Sequence, residues 1–201
     1  MADEGLVVGT AGNVSLRAGD HVVVTPTGGV FGQMTAEQMP VVDMDGKLVD
    51  GKLVPTSELA LHLALYERMG AGAVVHTHAP YATALSCVVD EVPAVHYSML
   101  MFGGSLRVAP YATFGTEELA ENVQGALEGR TACLMKNHGT VGYGHDLDYA
   151  VEAALLVEWA CTVYWRARLI GTPTAMSGEQ LQDVAEQVAR LGYGSTKEAD
   201  L

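Results

Sequence analysis

His76 and His78 are separated by one residue in Ala73-Val74-Val75-His76-Thr77-His78, and on a strand residues i and i+2 project from the same face. Two imidazoles so placed converge on one point. A third nitrogen ligand completes the three-histidine set of an open zinc site, and His138 in Asn137-His138-Gly139 is the best candidate, because it too follows an apolar run and precedes a glycine. Such a pair also occurs as two half-buried histidines with ordinary hydrogen bonds, and spacing alone leaves both readings open. Pro55-Thr56-Ser57-Glu58 sets two hydroxyls and a carboxylate at a helix entrance, where backbone N–H groups favour an anion such as phosphate; a plain acidic N-cap has the same sequence. Gly9-Thr10-Ala11-Gly12-Asn13-Val14-Ser15 and Thr25-Pro26-Thr27-Gly28 read as two further small-residue loops able to bring N–H groups close to a ligand. Neither matches a nucleotide-binding glycine motif.

These residues need strands and helices to hold them, and the chain alternates the two, which predicts an α/β fold. Strands are expected at Val22–Thr25, Val41–Asp43, Ala73–His78 and Thr131–Lys136, with turns at Asp45-Gly46 and Asp50-Gly51. A helix is expected over Leu59–Met69. Another runs from the Thr116 cap to Gly129, and a third from a Ser177/Gln180 capping box to Gly192, with Leu181, Val184, Val188 and Leu191 as its buried stripe. The stretch from about Asp148 to Leu169 is apolar nearly all round, with Glu158, Thr162 and Arg166 as a narrow polar line, so it should be covered on several sides, a second subunit included. His62, one turn after Glu58, reads as helix packing. His21, His96 and His145 lack convergent partners and read as structural, and Lys136 points either toward or away from the histidines.

With 201 residues, 49% hydrophobic and 17% charged, the sequence suits one folded domain over 1–201, with 194–201 as a frayed tail. Eleven basic against 24 acidic residues give a net charge of −13, which disfavours nucleic acid and anionic membranes as partners. The acidic start lacks the features of a secretory signal, which predicts a cytoplasmic protein. Cys87, Cys133 and Cys161 form no CxxC pair and are expected to be buried, reduced thiols.

Taken together, Gly9–Ser15, Thr25–Gly28, Pro55–Glu58, His76–His78 and Asn137–Gly139 resemble the class II aldolase/adducin family. Val92–Tyr97 and Ala109–Thr116 look closest to its L-fuculose-1-phosphate aldolase branch. The resemblance implies a single three-layer α/β/α domain with a mainly antiparallel central sheet. It also implies one zinc ion per subunit on His76, His78 and His138, and Glu58 as acid/base. Asn13, Thr27, Gly28, Thr56 and Ser57 would cradle a substrate phosphate, and Tyr97 would reach into a neighbouring subunit's site in a homotetramer. The implied reaction is reversible cleavage of a ketose 1-phosphate, L-fuculose 1-phosphate-like, to dihydroxyacetone phosphate and a short aldehyde. A pentulose-5-phosphate 4-epimerase is the nearest rival, although the epimerases typically place Asp where Glu58 stands. A non-catalytic adducin-like module would lose the metal histidines, and a cupin-type oxygenase wants a Glu where Ala82, Thr83 and Ala84 stand. The chain departs from the family at its start, where a leading helix usually precedes the Gly9–Asn13 loop, and Tyr193 matches a site-closing tyrosine only loosely.

Overall fold

Nine short strands form one mixed sheet in a computed structural model that describes residues 1–192; Tyr193 and the expected tail 194–201 lie outside the described residues. The strands are β1 (Asn13–Ala18), β2 (His21–Val24), β3 (Val41–Asp43), β4 (Leu48–Asp50), β5 (Ala73–Thr77), β6 (Glu91–Val92), β7 (Leu106–Ala109), β8 (Ala132–Met135) and β9 (Gly139–Gly144). They lie in the order β4-β3-β2-β1-β5-β9-β8-β7-β6, antiparallel at every pairing except β7 with β8. Helices α1 (Leu59–Met69) and α3 (Glu117–Ala126) cover one face, where Leu61, Leu65, Tyr66, Leu119 and Val123 meet Val22, Val24, Val74 and Val141. Helices α2 (Pro80–Ser86) and α4 (Leu147–Ile170) cover the other, where Val157, Ala160 and Cys161 meet Val75, Ala132 and Leu134. The result is the three-layer α/β/α arrangement.

Sandwiching explains why all five residues of the central strand β5 are buried, the polar His76 and Thr77 included: the strand is covered on both faces. The helix starts follow their sequence signals. The Thr116 side chain accepts from the Leu119 N–H ahead of Glu117 and Glu118, Asp146 accepts from Tyr149 at the start of α4, and α5 (Gly178–Leu191) opens on the Ser177/Gln180 capping box and closes on left-handed Gly192. Glu158, the head of the expected polar line on α4, accepts from the Tyr81 and Ala82 N–H groups and so caps α2 from a neighbouring helix.

Several expectations are corrected. Asn13 and Ser15 are not loop residues: they begin β1, because Asn13–Leu16 pairs with β5 across the middle of the sheet. Residues 139–144, 106–109 and 80–86 form β9, β7 and α2, which periodicity did not reveal. The α5 stripe is not buried within this chain, as Leu181 and Val184 are half-covered and Val188 and Leu191 exposed. On α4 one face is buried, while Trp159, Trp165, Leu169 and Ile170 stand exposed. Cys87 is exposed beyond α2, unlike Cys133 and Cys161, whose thiols burial pushes up, to about 12 for Cys133. No helix among the described residues is long and apolar enough to cross a membrane.

Candidate metal centre

Strand pairing assembles the histidines. His76 sits on β5 opposite Val141 of β9 and Asn13 of β1, and His78 follows one residue beyond the strand. His138 arrives through the tight β8–β9 turn, where Asn137 adopts a left-handed conformation (φ 55°) and the His138 N–H bonds to the Met135 carbonyl at 3.1 Å. Gly139 makes the approach close enough. A Cβ there would lie 2.2 Å from the Thr77 carbonyl oxygen, so only glycine lets β9 bring His138 against β5.

The three rings meet edge to face, with centroids 4.8 to 5.0 Å apart, and one ligand nitrogen from each lies within 4.8 Å of the others. His76 Nδ1 donates to the Thr140 carbonyl at 2.7 Å, which orients the ring with Nε2 turned inward. His76 Nε2 lies 3.0 Å from His78 Nε2 and 3.1 Å from Glu58 Oε2, and His138 Nε2 lies 3.6 Å from Glu58 Oε1.

Burial tunes the same groups. It lowers the His78 pKa to about 4, with help from the neighbouring imidazoles, and pushes His138 in the same direction, so both are neutral and able to ligate at pH 7. Burial opposes charge on Glu58 as well. The hydrogen bond and charge of His76 and the Asn13 amide outweigh it and bring that carboxyl down to about 2. Glu58 is 5% exposed, and its Oε1 is buried without a hydrogen-bond partner, which suits an oxygen meant for an ion or a substrate proton. The donor set fits a divalent metal.

Above this floor lies a cavity of about 320 Å³, lined by His78, His138, Glu58, Asn13, Thr27, Gly28, Thr56 and Ser57 among others. Thr27 N–H bonds to the Val54 carbonyl (2.9 Å) and Thr56 N–H to the Thr25 carbonyl (3.1 Å), which docks the Pro26–Gly28 turn onto the entrance of α1. No hydrogen bond engages the Gly28 or Ser57 N–H among the described residues, and both line the cavity together with Thr27 and Thr56. Tyr111 and Phe114, each 62% exposed, form an aromatic wall that residue types alone did not flag; the signal was the Ala109–Thr116 segment itself.

Other histidines and Lys136 fall elsewhere. Lys136 turns away, its Nζ 3.0 Å from Asp90 and 3.2 Å from the Val89 carbonyl. His96 caps the 3-10 helix Tyr97–Phe102 and packs against Tyr97 and Trp159, and exposed His145 pairs with Asp146 at 3.2 Å. Tyr97 is not among the residues lining the cavity of its own chain. His62 is no ligand, but it does more than pack: both ring nitrogens are hydrogen-bonded inside the protein.

Residues 1–165 match the family described as Class II Aldolase and Adducin N-terminal domain. The chain is 41% identical over 195 residues to the L-fuculose phosphate aldolase of Escherichia coli (strain K12), covering 96% of this chain and 90% of that one. It is 40% identical over 190 residues to the 5-methylthioribulose-1-phosphate/5-deoxyribulose-1-phosphate aldolase of Rhodospirillum rubrum, covering 94% and 86%. A solved L-fuculose 1-phosphate aldolase superposes with a TM-score of 0.89 at 34% identity over 94% of this chain and 90% of that one. With a family match over most of its length, near-complete alignment to aldolases and the same fold around a three-histidine centre, this chain belongs to the class II aldolase/adducin family and is an enzyme of the class II aldolase type.

Proposed function

We propose that this enzyme is a zinc-dependent aldolase that reversibly cleaves a ketose 1-phosphate, L-fuculose 1-phosphate-like, to dihydroxyacetone phosphate and a short aldehyde. The observation that carries the reading is the placement of Glu58 Oε1, a buried unpartnered carboxylate oxygen 3.6 Å from His138 Nε2, beneath a cavity walled by hydroxyl and N–H groups. His76, His78 and His138 would hold one zinc ion, for which imidazoles without thiolates are a suitable set. When bound, the ion supplies stabilisation of negative charge developing on the substrate's ketone oxygen. Among the described residues no lysine lines the cavity, so Schiff-base chemistry has no amine there.

Read in the direction of synthesis, Glu58, a carboxylate at pH 7, takes the proton from the carbon next to the ketone, and that carbon attacks the aldehyde. The new alkoxide takes a proton from Tyr97 of a neighbouring subunit, since Tyr97 does not line its own chain's cavity. Proton exchange with solvent resets both groups. The phosphate is held by Gly28, Ser57, Thr27 and Thr56, with the Asn13 amide at the border of the cradle; among the described residues no lysine or arginine lines the cavity, so neutral donors position it. Two relatives are named for substrates with an apolar end, a deoxy or methylthio carbon, and Tyr111 with Phe114 offers such an end an apolar wall. The exposed Trp159, Trp165, Leu169 and Ile170 support a homotetramer.

Incubating the zinc-loaded protein with a panel of ketose 1-phosphates and pentulose 5-phosphates tests this directly. Release of an aldehyde and dihydroxyacetone phosphate from a 1-phosphate is the expected result. Epimer formation from a 5-phosphate without aldehyde release would overturn it in favour of the epimerase.

A further inference from the structure

Behind Glu58 runs a second feature that metal binding does not require. Glu58, His62 and Tyr66 occupy positions i, i+4 and i+8 of one stripe at and along α1, and they face Asn13 and Ser15 at i and i+2 of β1. The two rows interdigitate into one chain of hydrogen bonds. Asn13 Nδ2 donates to Glu58 Oε2 at 2.9 Å; Asn13 Oδ1 lies 2.5 Å from His62 Nε2; His62 Nδ1 lies 2.6 Å from Ser15 Oγ; and Ser15 Oγ lies 2.6 Å from the Tyr66 hydroxyl. None of the five residues is more than 5% exposed.

The direction of every bond follows from the Asn13 amide at its centre. It presents its N–H group to Glu58 Oε2 and its carbonyl to His62 Nε2. That carbonyl requires a proton on His62 Nε2. The neutral ring then accepts at Nδ1 from Ser15, whose oxygen accepts in turn from Tyr66. Were His62 to carry its proton on Nδ1 instead, Nε2 would become an acceptor, the Asn13 amide would turn over, and its oxygen would sit against a carboxylate oxygen. Burial favours the neutral ring, since it lowers the His62 pKa to about 3.

We infer that His62 is a positioning residue for Glu58: its neutral imidazole, donating from Nε2 to Asn13 Oδ1, locks the Asn13 amide so that an N–H group holds and orients the Glu58 carboxylate. The inference rests on the aldolase reading for its consequence, because an oriented Glu58 matters to turnover only if Glu58 moves the substrate proton. A ring that merely fills the core would leave the Asn13 amide free to choose its face. One that sets the amide should act through Asn13 and be replaceable by another side chain with an N–H group at the same place.

Two measurements test it. In metal-free full-length protein labelled with nitrogen-15 at histidine, the His62 ring, assigned by its loss in His62→Gln, should show the neutral Nε2–H tautomer; an Nδ1–H tautomer or an imidazolium at pH 7 overturns the inference whatever the enzyme acts on. In zinc-loaded protein, His62→Leu should lower kcat 10- to 100-fold, the usual scale for a residue that orients a metal-site group, with KM within about threefold. His62→Gln, which keeps an N–H group facing Asn13, should return to within about threefold of the parent kcat. In an Asn13→Ala background His62→Leu should cost less than about twofold more, because the intermediary is already gone. Equal losses for Leu and Gln, or additive losses with Asn13→Ala, overturn the inference. A parent that releases no aldehyde from any ketose 1-phosphate overturns the aldolase reading instead, and the tautomer still decides the placement of His62.

Discussion

Replacing His62 by glutamine should make the metal-free protein less sensitive to acid, and the size of the effect follows from burial. His62 is fully buried with its pKa lowered from the ordinary 6.5 to about 3, chiefly because the interior cannot solvate an imidazolium. Between those values the unfolded chain holds a proton on this ring and the folded chain does not. Stability therefore falls as pH drops below 6.5 and goes on falling until about pH 3, where the folded ring is itself protonated. Each unit is worth 1.36 kcal/mol, so at pH 4.5, two units below 6.5, this residue costs the wild type about 3 kcal/mol relative to pH 7.5. Glutamine does not titrate. Its own penalty, from the poorer match to Ser15, is the same at both pH values and cancels in the comparison. Urea unfolding of wild type and His62→Gln at pH 7.5 and 4.5, with metal chelated and protein concentration fixed, gives four free energies. The difference between the two proteins should move by about 3 kcal/mol in favour of the variant at the lower pH. A shift below about 0.5 kcal/mol, or one of opposite sign, would refute the assignment of a buried neutral imidazole.

Three further outcomes follow from the site. Glu58→Gln should retain the fold while losing on the order of 10² to 10⁴ in kcat, the usual scale for a proton-transfer group, as read from initial rates of aldehyde release. Tyr97→Phe subunits mixed with His78→Ala subunits should recover a fraction of the activity that neither parent has, because a hybrid interface pairs an intact histidine set with an intact tyrosine; mixed oligomers no better than the parents would refute a shared site. Gly139→Ala should destabilise the protein by roughly 1–3 kcal/mol or more in thermal or urea unfolding, since its Cβ would lie 2.2 Å from the Thr77 carbonyl.

How much of this was legible in the chain differs from element to element. The HxH spacing and the glycine after His138 were enough to nominate the metal ligands, because side chains two apart on a strand must share a face wherever the strand goes. The caps at Thr116 and Ser177 and the helix over Leu59–Met69 were legible for a similar reason: capping and helical periodicity act within a few residues. Strand β1 was not, since Gly9–Ser15 has the composition of a loop and becomes a strand only by pairing Asn13 with His76 across the sheet. The same pairing decided the role of His62. On a helix wheel it is one polar residue on an apolar face, indistinguishable from packing, and its partners Asn13 and Ser15 lie 49 and 47 residues away. Local sequence therefore determined which residue types could ligate and where the capped helices begin, while strand order and register decided which groups touch. Contacts between distant segments depend on the whole sheet closing at once, and no short stretch of sequence carries that information.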